Sequence, residues 1–329
     1  STESPSTLAR RRLIALWPIV RSGRGFGASY KAWVHDYCCC GAPLLDNAQA
    51  FAALAVLVGH LRAGGFSPAA LLAPQLRADG PTAAVLRRFA ALNGLTLDLI
   101  ARYDRAALDA ARQGAETAGL VSRKKAKELR RQLRRLGDSG PVLFGMAREG
   151  AELDRQIESF LALEIKGWKG RDGGAFANRP SHADFLRTMI RAMAEQGKCR
   201  IFWLSHSGRV IASNIVLVAG GEAYFWKTAY DEAFAFASPG VQLTLNMTDA
   251  LLREPGLRLI DSCATPDHPM IDRLWRDQAP MADVILSLEA GRSFRFRGAL
   301  WRERLRRRFR EMAKIAWTTS VAWTNTGFR

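Results

Sequence analysis

Several features that would assign a chain to a common protein class are missing from this sequence. No run of 18 apolar residues occurs: Leu13–Val20 is short and contains Pro18, and Ala48–Leu61 is too short to cross a bilayer. Five cysteines, three of them consecutive at positions 38–40, form no spaced disulfide framework, and no secretory leader is recognised. We therefore expect a cytoplasmic protein with free thiols and no membrane-spanning segment.

Nucleotide, nucleic-acid and metal motifs are missing as well. The chain contains no P-loop, serine-hydrolase elbow, helix-turn-helix, zinc finger or RNA-recognition pattern. His35 with Cys38, Cys39 and Cys40 could chelate a metal, but adjacent cysteines point to alternate faces and no second ligand pair follows. We expect no metal and no nucleic-acid partner. The 48% hydrophobic and 24% charged composition is that of a globular protein with a substantial core.

Acidic residues are scarce relative to basic ones, and the imbalance is local. The formal net charge is +17, of which residues 123–135 supply +7 and residues 292–314 supply +8. The first stretch follows Ser122, a residue type preferred at helix N-caps, carries Leu129, Leu133 and Leu136 at helical spacing and stops at Gly137. It predicts a basic amphipathic helix that joins two halves of the chain.

The second basic stretch predicts an amphipathic helix near the end of the chain. One of its faces is apolar and the other is nearly all arginine. Such a face commonly packs on its own domain or is simply solvated, but aromatic and arginine side chains together also suit anionic lipid. We expect an anionic membrane surface to bind through Arg292–Lys314. The apolar face comprises Trp301, Leu305, Phe309, Met312 and Ala316.

Helices and strands alternate in both halves, which predicts an α/β fold. In the first half we expect helices at 48–61 and 81–93 and strands at 71–76 and 95–101. In the second half we expect three consecutive strands, then a helix, a strand, a helix and a strand. The second-half helices are expected at 153–165, 182–196, from about 241, and at 268–277, and the strands within 199–230 and at 258–264 and 283–288.

The step Ser238-Pro239-Gly240 connects a strand region to a helix. The first backbone N–H groups of such a helix are unpaired and lie at the positive end of the helix dipole, and glycine leaves room for an anion. Proline stiffens the entry without donating, so Gly240, Val241 and Gln242 are the expected donors to a pyrophosphate. An ordinary helix start would have the same tripeptide.

Three motifs in the second half carry a family resemblance: LALEIKGWKGRDG from Leu161, WKTAYDEAFAFASPGVQL from Trp226 and IDSCATPDHPMIDRLW from Ile260. They resemble the bacterial branch of GNAT acyltransferases associated with cellulose and exopolysaccharide gene clusters, and are similar to bacterial ceramide synthase-type N-acyltransferases. LVSRKKAKELRRQLRRL and YKAWVHDYCCCGAPLLD resemble the tandem GNAT-like Fem-type aminoacyltransferases. FASPGVQL keeps a single glycine where the usual GNAT pyrophosphate loop has two.

The resemblance implies a tandem GNAT-like, Fem-like pair of mixed-sheet domains joined by the basic helix. We place an N-terminal half with that helix at 1–137, a GNAT domain at 138–291 and a basic amphipathic tail at 292–329. Acyl-CoA would be the co-substrate, and an amine would attack its thioester directly while a base takes the proton and an acid protonates the thiolate.

The residues proposed for this chemistry lie within the resembling motifs. Glu164 and Asp231 are the first base candidates, with His268 a further one, and Tyr230 is the candidate acid. Pairing of Glu164 with Lys166 or Lys169, and turn capping by Asp231, are their structural alternatives. The expected cofactor-binding residues are Ser238, Gly240, Val241 and Gln242, and the expected substrate-binding residues are Trp168, Lys169 and Asp261.

The sequence thus predicts an acyl-CoA-dependent N-acyltransferase, cytoplasmic and peripheral on the inner face of the cytoplasmic membrane. Its acceptor is expected to be a lipidic or lipid-linked amine such as a sphingoid base, because an enzyme with a bilayer-borne acceptor gains from docking there. Amino sugars of an exopolysaccharide or adhesin remain an alternative. So do a non-catalytic protein that binds an acidic polymer, a transferase that uses aminoacyl-tRNA, and a hydrolase built on Cys263, His268 and Asp261.

Overall fold

A computed structural model describes residues 12–25, 27–63, 68–113 and 119–326. The strands are β1 Ala15–Leu16, β2 Ile19–Ser22, β3 Ser29–Ala32, β4 Leu44–Leu45, β5 Ala70–Arg77, β6 Leu97–Asp109, β7 Val142–Ala147, β8 Cys199–His206, β9 Arg209–Ala219, β10 Glu222–Tyr230, β11 Leu259–Asp261 and β12 Asp277–Ser287. The α-helices are α1 Ala50–Ala63, α2 Pro81–Leu92, α3 Ala110–Gln113, α4 Arg123–Asp138, α5 Gly150–Lys166, α6 Trp168–Arg171, α7 Pro180–Glu195, α8 Pro239–Leu252, α9 Ile271–Leu274 and α10 Phe294–Thr326. Two 3₁₀ helices span Phe176–Asn178 and Glu232–Ala237.

The chain divides into two compact units. Unit 1 comprises residues 1–103 and 280–329, and unit 2 comprises residues 104–279. Unit 1 thus consists of two segments of the chain, and unit 2 is the continuous segment between them, whereas the predicted segments are 1–137, 138–291 and 292–329. The unit boundaries fall inside β6 and β12. Across the described ranges of the chain, no helix is both long enough and apolar enough to cross a bilayer.

Unit 1 is a sheet with helices packed on it. Strand β3 pairs with β2 antiparallel and with β5 parallel, and β5 pairs with β12 antiparallel. Successive residues of a strand point to opposite faces, and β5 follows this rule: Leu71 packs with Leu54 of α1 and Leu86 of α2, whereas Leu72 packs with Phe296 of α10. Helix α10 therefore belongs to the core of unit 1.

Unit 2 is built on the strand order β6-β11-β10-β9-β8-β7. The β10–β11 pair is parallel and the other described pairs are antiparallel. Leu243 and Met247 of α8 pack with Phe202 and Val216 on one side. Ile201 and Ile215, which pair across β8 and β9, are also fully buried, and α5 packs against the same strands. The apolar strands are buried on both faces, as their continuous hydrophobic sequence requires.

Most predicted elements are confirmed to within a few residues, and so is the mixed α/β fold. Ser122 caps α4 as expected, since its Oγ accepts the Lys125 N–H at 3.2 Å. The predicted helix at 268–277 is wrong: α9 covers four residues, and β12 already begins at Asp277. The spacing of Ile271, Leu274 and Trp275 imitates a helix, but these side chains are buried along a segment that turns extended at Trp275.

The basic helix α4 lies within unit 2. Leu129 and Leu136 are buried against the unit, as their helical spacing predicts. The Gln242 side chain of α8 donates to the Leu129 carbonyl at 2.7 Å, which ties α4 to the first turns of α8. The eight lysines and arginines of α4 are exposed, so its outer surface is strongly cationic.

Candidate active site

Strands β10 and β11 diverge, and the opening between them is the centre of the candidate site. Their parallel pairing runs from Glu222–Leu259 to Tyr224–Asp261, where β11 ends. Strand β10 continues to Tyr230 and stays paired with β9 along its other edge. A β-bulge at Trp226 twists β10 at the point where the two strands separate. The edge of β10 beyond Tyr224 therefore faces a gap instead of a neighbouring strand.

A cavity of about 730 Å³ occupies this opening within unit 2. This volume is in the range of small-molecule sites, and most of its lining side chains are apolar. The wall comes from the end of α5, the start of α6, the open part of β10, the second 3₁₀ helix, the start of α8 and the segment that leads into α9. The lining residues are Leu163, Glu164, Gly167, Trp168, Lys169, Phe225, Trp226, Lys227, Thr228, Ala229, Tyr230, Ala235, Ser238, Pro239, Gly240, Val241, Ser262, Cys263, Ala264, Thr265, His268, Pro269, Met270 and Ile271.

The start of α8 forms one wall of the cavity, as the Ser238-Pro239-Gly240 step suggested. Ser238 has the left-handed conformation, with φ at 49°, and Pro239 opens the helix. The N–H groups of Gly240 and Val241 lie in the first turn, where a helix offers no intrahelical acceptor. A Cβ added at Gly240 would lie 3.7 Å from the Tyr230 ring, so this glycine leaves space at the wall rather than relieving strain.

Gln242 does not join this wall. Its N–H donates to the Ser238 carbonyl at 3.0 Å and its side chain is buried against α4. Of the four predicted cofactor-binding residues, three line the cavity, namely Ser238, Gly240 and Val241. The fourth, Gln242, instead ties α8 to α4.

Among the residues that the structure describes, Glu164 is the carboxylate that lines the cavity, and it is almost completely buried. Its Oε1 lies 3.3 Å from the Lys169 Nζ, and its Oε2 accepts the Phe176 N–H at 2.8 Å. Lys169 also donates to the Thr228 carbonyl on β10 at 2.7 Å. The ion pair with Lys169, the structural alternative for Glu164, is present. A carboxylate has about four acceptor positions, so two contacts leave Glu164 able to accept from a ligand.

Tyr230, at the end of β10, and His268, in the segment before α9, both line the cavity. His268 Nδ1 lies 3.3 Å from both the Met270 and the Ile271 N–H groups, and it accepts from them at the start of α9. The neutral ring must then carry its proton on Nε2, where it donates rather than accepts. This arrangement disfavours His268 as a base. Tyr230 is 38% exposed at the end of β10, and its ring lies beside Gly240.

Asp231 and Asp261, predicted from the sequence as base and substrate ligand, do not line the cavity. Asp231 caps the 3₁₀ helix by accepting the Ala233 N–H at 3.0 Å and forms an ion pair with Arg209. Asp261 is buried, with its Oδ2 2.5 Å from Arg105 Nη2. Asp231 therefore caps a turn, which is the structural alternative given above, while its ion pair with Arg209 and the Arg105 partner of Asp261 had no signal in the sequence.

The Cys263, His268 and Asp261 triad considered from the sequence does not assemble. Asp261 faces Arg105 and accepts the Cys263 N–H at 2.7 Å, so it does not orient the imidazole of His268. His268 Nδ1, the atom that would meet an orienting carboxylate, accepts backbone N–H groups instead. Cys263 and His268 do both line the cavity.

Helix α6, which carries Trp168 and Lys169, is also hydrogen-bonded to Glu232 of the second 3₁₀ helix. Glu232 accepts the Trp168 N–H at 2.8 Å and binds the Arg171 guanidinium at 2.8 and 3.1 Å. Hydrogen bonding by Arg171, then by the Trp168 N–H, lowers the pKa of Glu232 below its usual value. Trp168 itself is 52% exposed at the rim. Both predicted substrate-binding residues of this segment, Trp168 and Lys169, line the cavity.

Lys227 is a cavity residue that the sequence reasoning missed. Its Nζ lies 5.5 Å from the centroids of both the Phe176 and the Trp226 rings, at cation–π distance. The signal in the sequence that could have identified Lys227 is a lysine that follows three apolar or aromatic residues, Tyr224, Phe225 and Trp226, inside a predicted strand. No group of three His, Cys, Asp or Glu side chains suited to a metal ion is found in the described ranges.

Comparison with known proteins agrees with this geometry. Residues 123–268 match the family described as an acetyltransferase (GNAT) domain, a range that contains α4, β7 to β11 and nearly all of the cavity. The match supports an acyltransferase. No curated protein matches the sequence.

Solved structures share the fold at low sequence identity. The C-terminal domain of a candidate lysylphosphatidylglycerol synthetase from Agrobacterium fabrum superposes with a TM-score of 0.53 at 16% identity, covering 84% of this chain and 81% of that one. FemX gives a TM-score of 0.50 at 12% identity, covering 87% and 85%. A conserved protein of unknown function from Bacteroides thetaiotaomicron gives 0.50 at 12%, covering 82% of each chain. The predicted GNAT-like and Fem-like fold is thereby confirmed.

Proposed function

We propose that the protein is an N-acyltransferase that moves an acyl group from a coenzyme A thioester to a primary amine. The observation that carries the proposal is the cavity at the divergence of β10 and β11, with the first turn of α8 as one wall. An anionic pyrophosphate fits the N–H groups of Gly240 and Val241. The open edge of β10 can pair with the amide groups of an extended pantetheine arm, as a strand edge pairs with a peptide.

In this proposal the amine nitrogen attacks the thioester carbonyl carbon, the C–N bond forms, and the C–S bond breaks. The amine must lose a proton, and the departing thiolate must gain one. Glu164 is the proposed proton acceptor because it is the carboxylate that lines the cavity, and Tyr230 is the proposed donor to the thiolate. Lys169 would hold Glu164 and the β10 carbonyl in place through the two contacts described above.

We further propose a lipidic amine as acceptor, with the enzyme peripheral on the cytoplasmic membrane. The support is the apolar lining of the cavity, which suits an acyl chain or a long-chain amine better than a sugar. The aromatic and basic side chains of helix α10 would allow the enzyme to bind a membrane surface and act there. N-Acetylation of an amino sugar is the main alternative, and it predicts a preference for acetyl-CoA over longer donors.

Calorimetric titration of the purified protein with acetyl-CoA and with palmitoyl-CoA below its micelle concentration tests the proposal. A Gly240→Glu variant places a carboxylate beside the proposed phosphate position, and two unit charges about 4 Å apart repel by about 4 kcal/mol at an effective dielectric constant of 20. We therefore expect the variant to lose affinity by roughly 100-fold or more. Gly59→Glu is the matched control, since Gly59 is an exposed helical glycine in unit 1 with open space at its Cβ.

Tight binding of palmitoyl-CoA that is lost in Gly240→Glu and kept in Gly59→Glu would support lipid N-acylation. If neither donor binds the wild-type protein, the acyl-CoA proposal is wrong, and a non-catalytic protein that binds an acidic polymer gains support.

Aminoacyl transfer from tRNA is a second candidate, and one specific observation favours it. Helix α4 presents a cationic groove along its exposed face and is bonded to α8 through Gln242 and Leu129. Polyanions bind such faces with a strong dependence on salt. A transferase activity that disappears on ribonuclease treatment and persists without acyl-CoA would establish this second candidate. The groove is lined by Ser122, Lys124, Lys125, Lys127, Glu128, Arg131 and Arg134.

A further inference from the structure

Helix α10 is fixed to unit 1 by a face different from the one that the sequence marks as apolar. Phe296, Ala299 and Leu300 are buried in a cluster with Leu72 and Ile285. The Arg302 guanidinium donates to the Ser22 carbonyl at 2.9 Å and to the Ser29 hydroxyl at 3.1 Å, and Arg307 pairs with Asp283 at 2.5 Å. These contacts hold the first half of the helix in one orientation.

The opposite face of α10 is therefore exposed to solvent. At about 100° per residue, Phe294, Trp301, Leu305, Phe309 and Met312 fall within an arc of about 80°. Four of them are exposed, by 74% for Phe294, 67% for Trp301, 58% for Phe309 and 55% for Met312. The side chains of Lys314 and Ala316, which the sequence analysis included in this surface, lie outside the described residues.

Arginines flank this aromatic face. Arg297, Arg304 and Arg308 are exposed and lie along one side of the arc, within about 60° of it. Among the α10 side chains that the structure describes, the carboxylate is Glu303, which is turned toward Arg306 at 3.5 Å and has a side chain only 13% exposed. The outward face is thus apolar in its centre and cationic at its border, with no described acidic residue to balance it.

We propose that this outward face of α10 is a docking surface for an anionic lipid bilayer, with Phe294, Trp301 and Phe309 inserted among the lipids and the flanking arginines against the headgroups. Charge complementarity selects this occupant. A second copy of the chain would bring the same cationic border against itself, and a soluble polyanion would leave the aromatic side chains in water. Exposed aromatic residues beside arginine are the pattern of an interfacial helix.

The biological purpose of this docking rests on the proposed function, since docking would bring the cavity of the N-acyltransferase to an acceptor in the bilayer. The docking surface can be tested independently of the proposed function, because vesicle binding needs no acyl donor. Palmitoyl-CoA affinity in solution reports on the proposed function alone.

Flotation of the 329-residue chain with lipid vesicles tests the docking surface. We expect the wild-type protein to float with vesicles of phosphatidylcholine and phosphatidylglycerol and to remain in solution with phosphatidylcholine alone. A basic residue near an anionic surface contributes about 1 kcal/mol, so Arg297→Gln/Arg304→Gln/Arg308→Gln should bind roughly 100-fold more weakly. The matched charge control is Arg123→Gln/Arg130→Gln/Arg134→Gln on the exposed face of α4, which should bind like the wild type.

Removal of the aromatic side chains tests the insertion step separately. We expect Phe294→Ser/Trp301→Ser/Phe309→Ser to lose binding by roughly tenfold or more even at low salt, because buried apolar area contributes to interfacial binding alongside charge. Trp33→Ser is the matched control, since Trp33 is also exposed, by 56%, and lies elsewhere in unit 1. Circular dichroism melting of all variants checks that they fold.

Four results would overturn the proposal, and the first three concern vesicles and oligomeric state. They are equal binding to neutral and anionic vesicles, a loss in the α4 control as large as in the α10 charge variant, and dimerisation in solution that the aromatic substitutions abolish. Stronger binding to duplex RNA than to anionic vesicles through the α10 arginines would also contradict it, because the aromatic centre would then have no role.

Discussion

Replacement of Asp261 by asparagine should destabilise the fold, although the sequence analysis assigned Asp261 to substrate binding. The side chains of Asp261 and Arg105 are 1% and 4% exposed, and Oδ2 lies 2.5 Å from Nη2. Removing one partner of a buried ion pair leaves an uncompensated charge and typically costs 3–5 kcal/mol. Asparagine keeps an oxygen for the Cys263 N–H, so we expect the loss to come mainly from the charge pair, at about 3 kcal/mol.

The assay is urea unfolding of the purified variants, followed by circular dichroism and compared at equal m-values. Asp231→Asn is the matched control: it also keeps a backbone N–H acceptor, but its partner Arg209 is 57% exposed, and exposed pairs contribute about 0–1 kcal/mol. Arg105→Met/Asp261→Leu should recover much of the loss, because it removes both buried charges. If Asp261→Asn unfolds at the wild-type urea concentration and instead raises the KM for the acceptor, the structural role is wrong.

Three other expectations follow from contacts around the cavity. Gln242→Ala removes the side-chain hydrogen bond to the Leu129 carbonyl, so the free energy of unfolding should fall by about 0.5–1.5 kcal/mol in the same urea assay. Hydrogen bonding by Arg171 and by the Trp168 N–H lowers the pKa of Glu232 in the fold, so its contribution to stability is present above the unfolded pKa and is lost as the pH falls through the folded pKa. Amide exchange at Trp168 should therefore accelerate, relative to the neighbouring helices, once acid protonates Glu232, and Glu232→Gln should remove this pH dependence. Burial raises the pKa of Cys199 to about 12, so this thiol should not react with a thiol reagent at pH 8 until the protein is unfolded, and early labelling of Cys199 in the native protein would contradict its burial.

The element order and the start of α8 could be predicted from the sequence because their signals are local. Pro81 and Pro239 open helices at the first helical position, and Ser122 caps α4, as proline and serine do generally. The Ser238-Pro239-Gly240 step was placed at a ligand wall from the same local reasoning, and the cavity lies there.

The structural role of Asp261 could not be predicted, because it depends on a residue distant in the chain. The partner of Asp261 is Arg105, 156 positions away, and nothing near Asp261 indicates it. Glu164 shows the opposite case. Its partner Lys169 is five residues away and was anticipated, whereas the Phe176 N–H that holds its other oxygen required the fold of the intervening loop.

Helix α10 shows why an apolar pattern does not identify its own partner. The stripe with Trp301 and Phe309 was visible in the sequence, and packing on its own domain was the ordinary expectation. Burial is instead achieved by Phe296, Ala299 and Leu300, fewer and smaller residues than the stripe contains. Only the sheet of unit 1 decides which face is covered.

The most direct test of the proposed function is release of free coenzyme A thiol from palmitoyl-CoA in the presence of a long-chain primary amine, with mass-spectrometric detection of the N-acylated product. We expect thiol and amide to appear in equal amounts with the wild-type protein. We expect Glu164→Gln to bind palmitoyl-CoA normally but to lose kcat by about 100-fold or more, the usual effect of removing a general base. Thiol release without amide, or full activity in Glu164→Gln, would contradict the proposed transfer or its base.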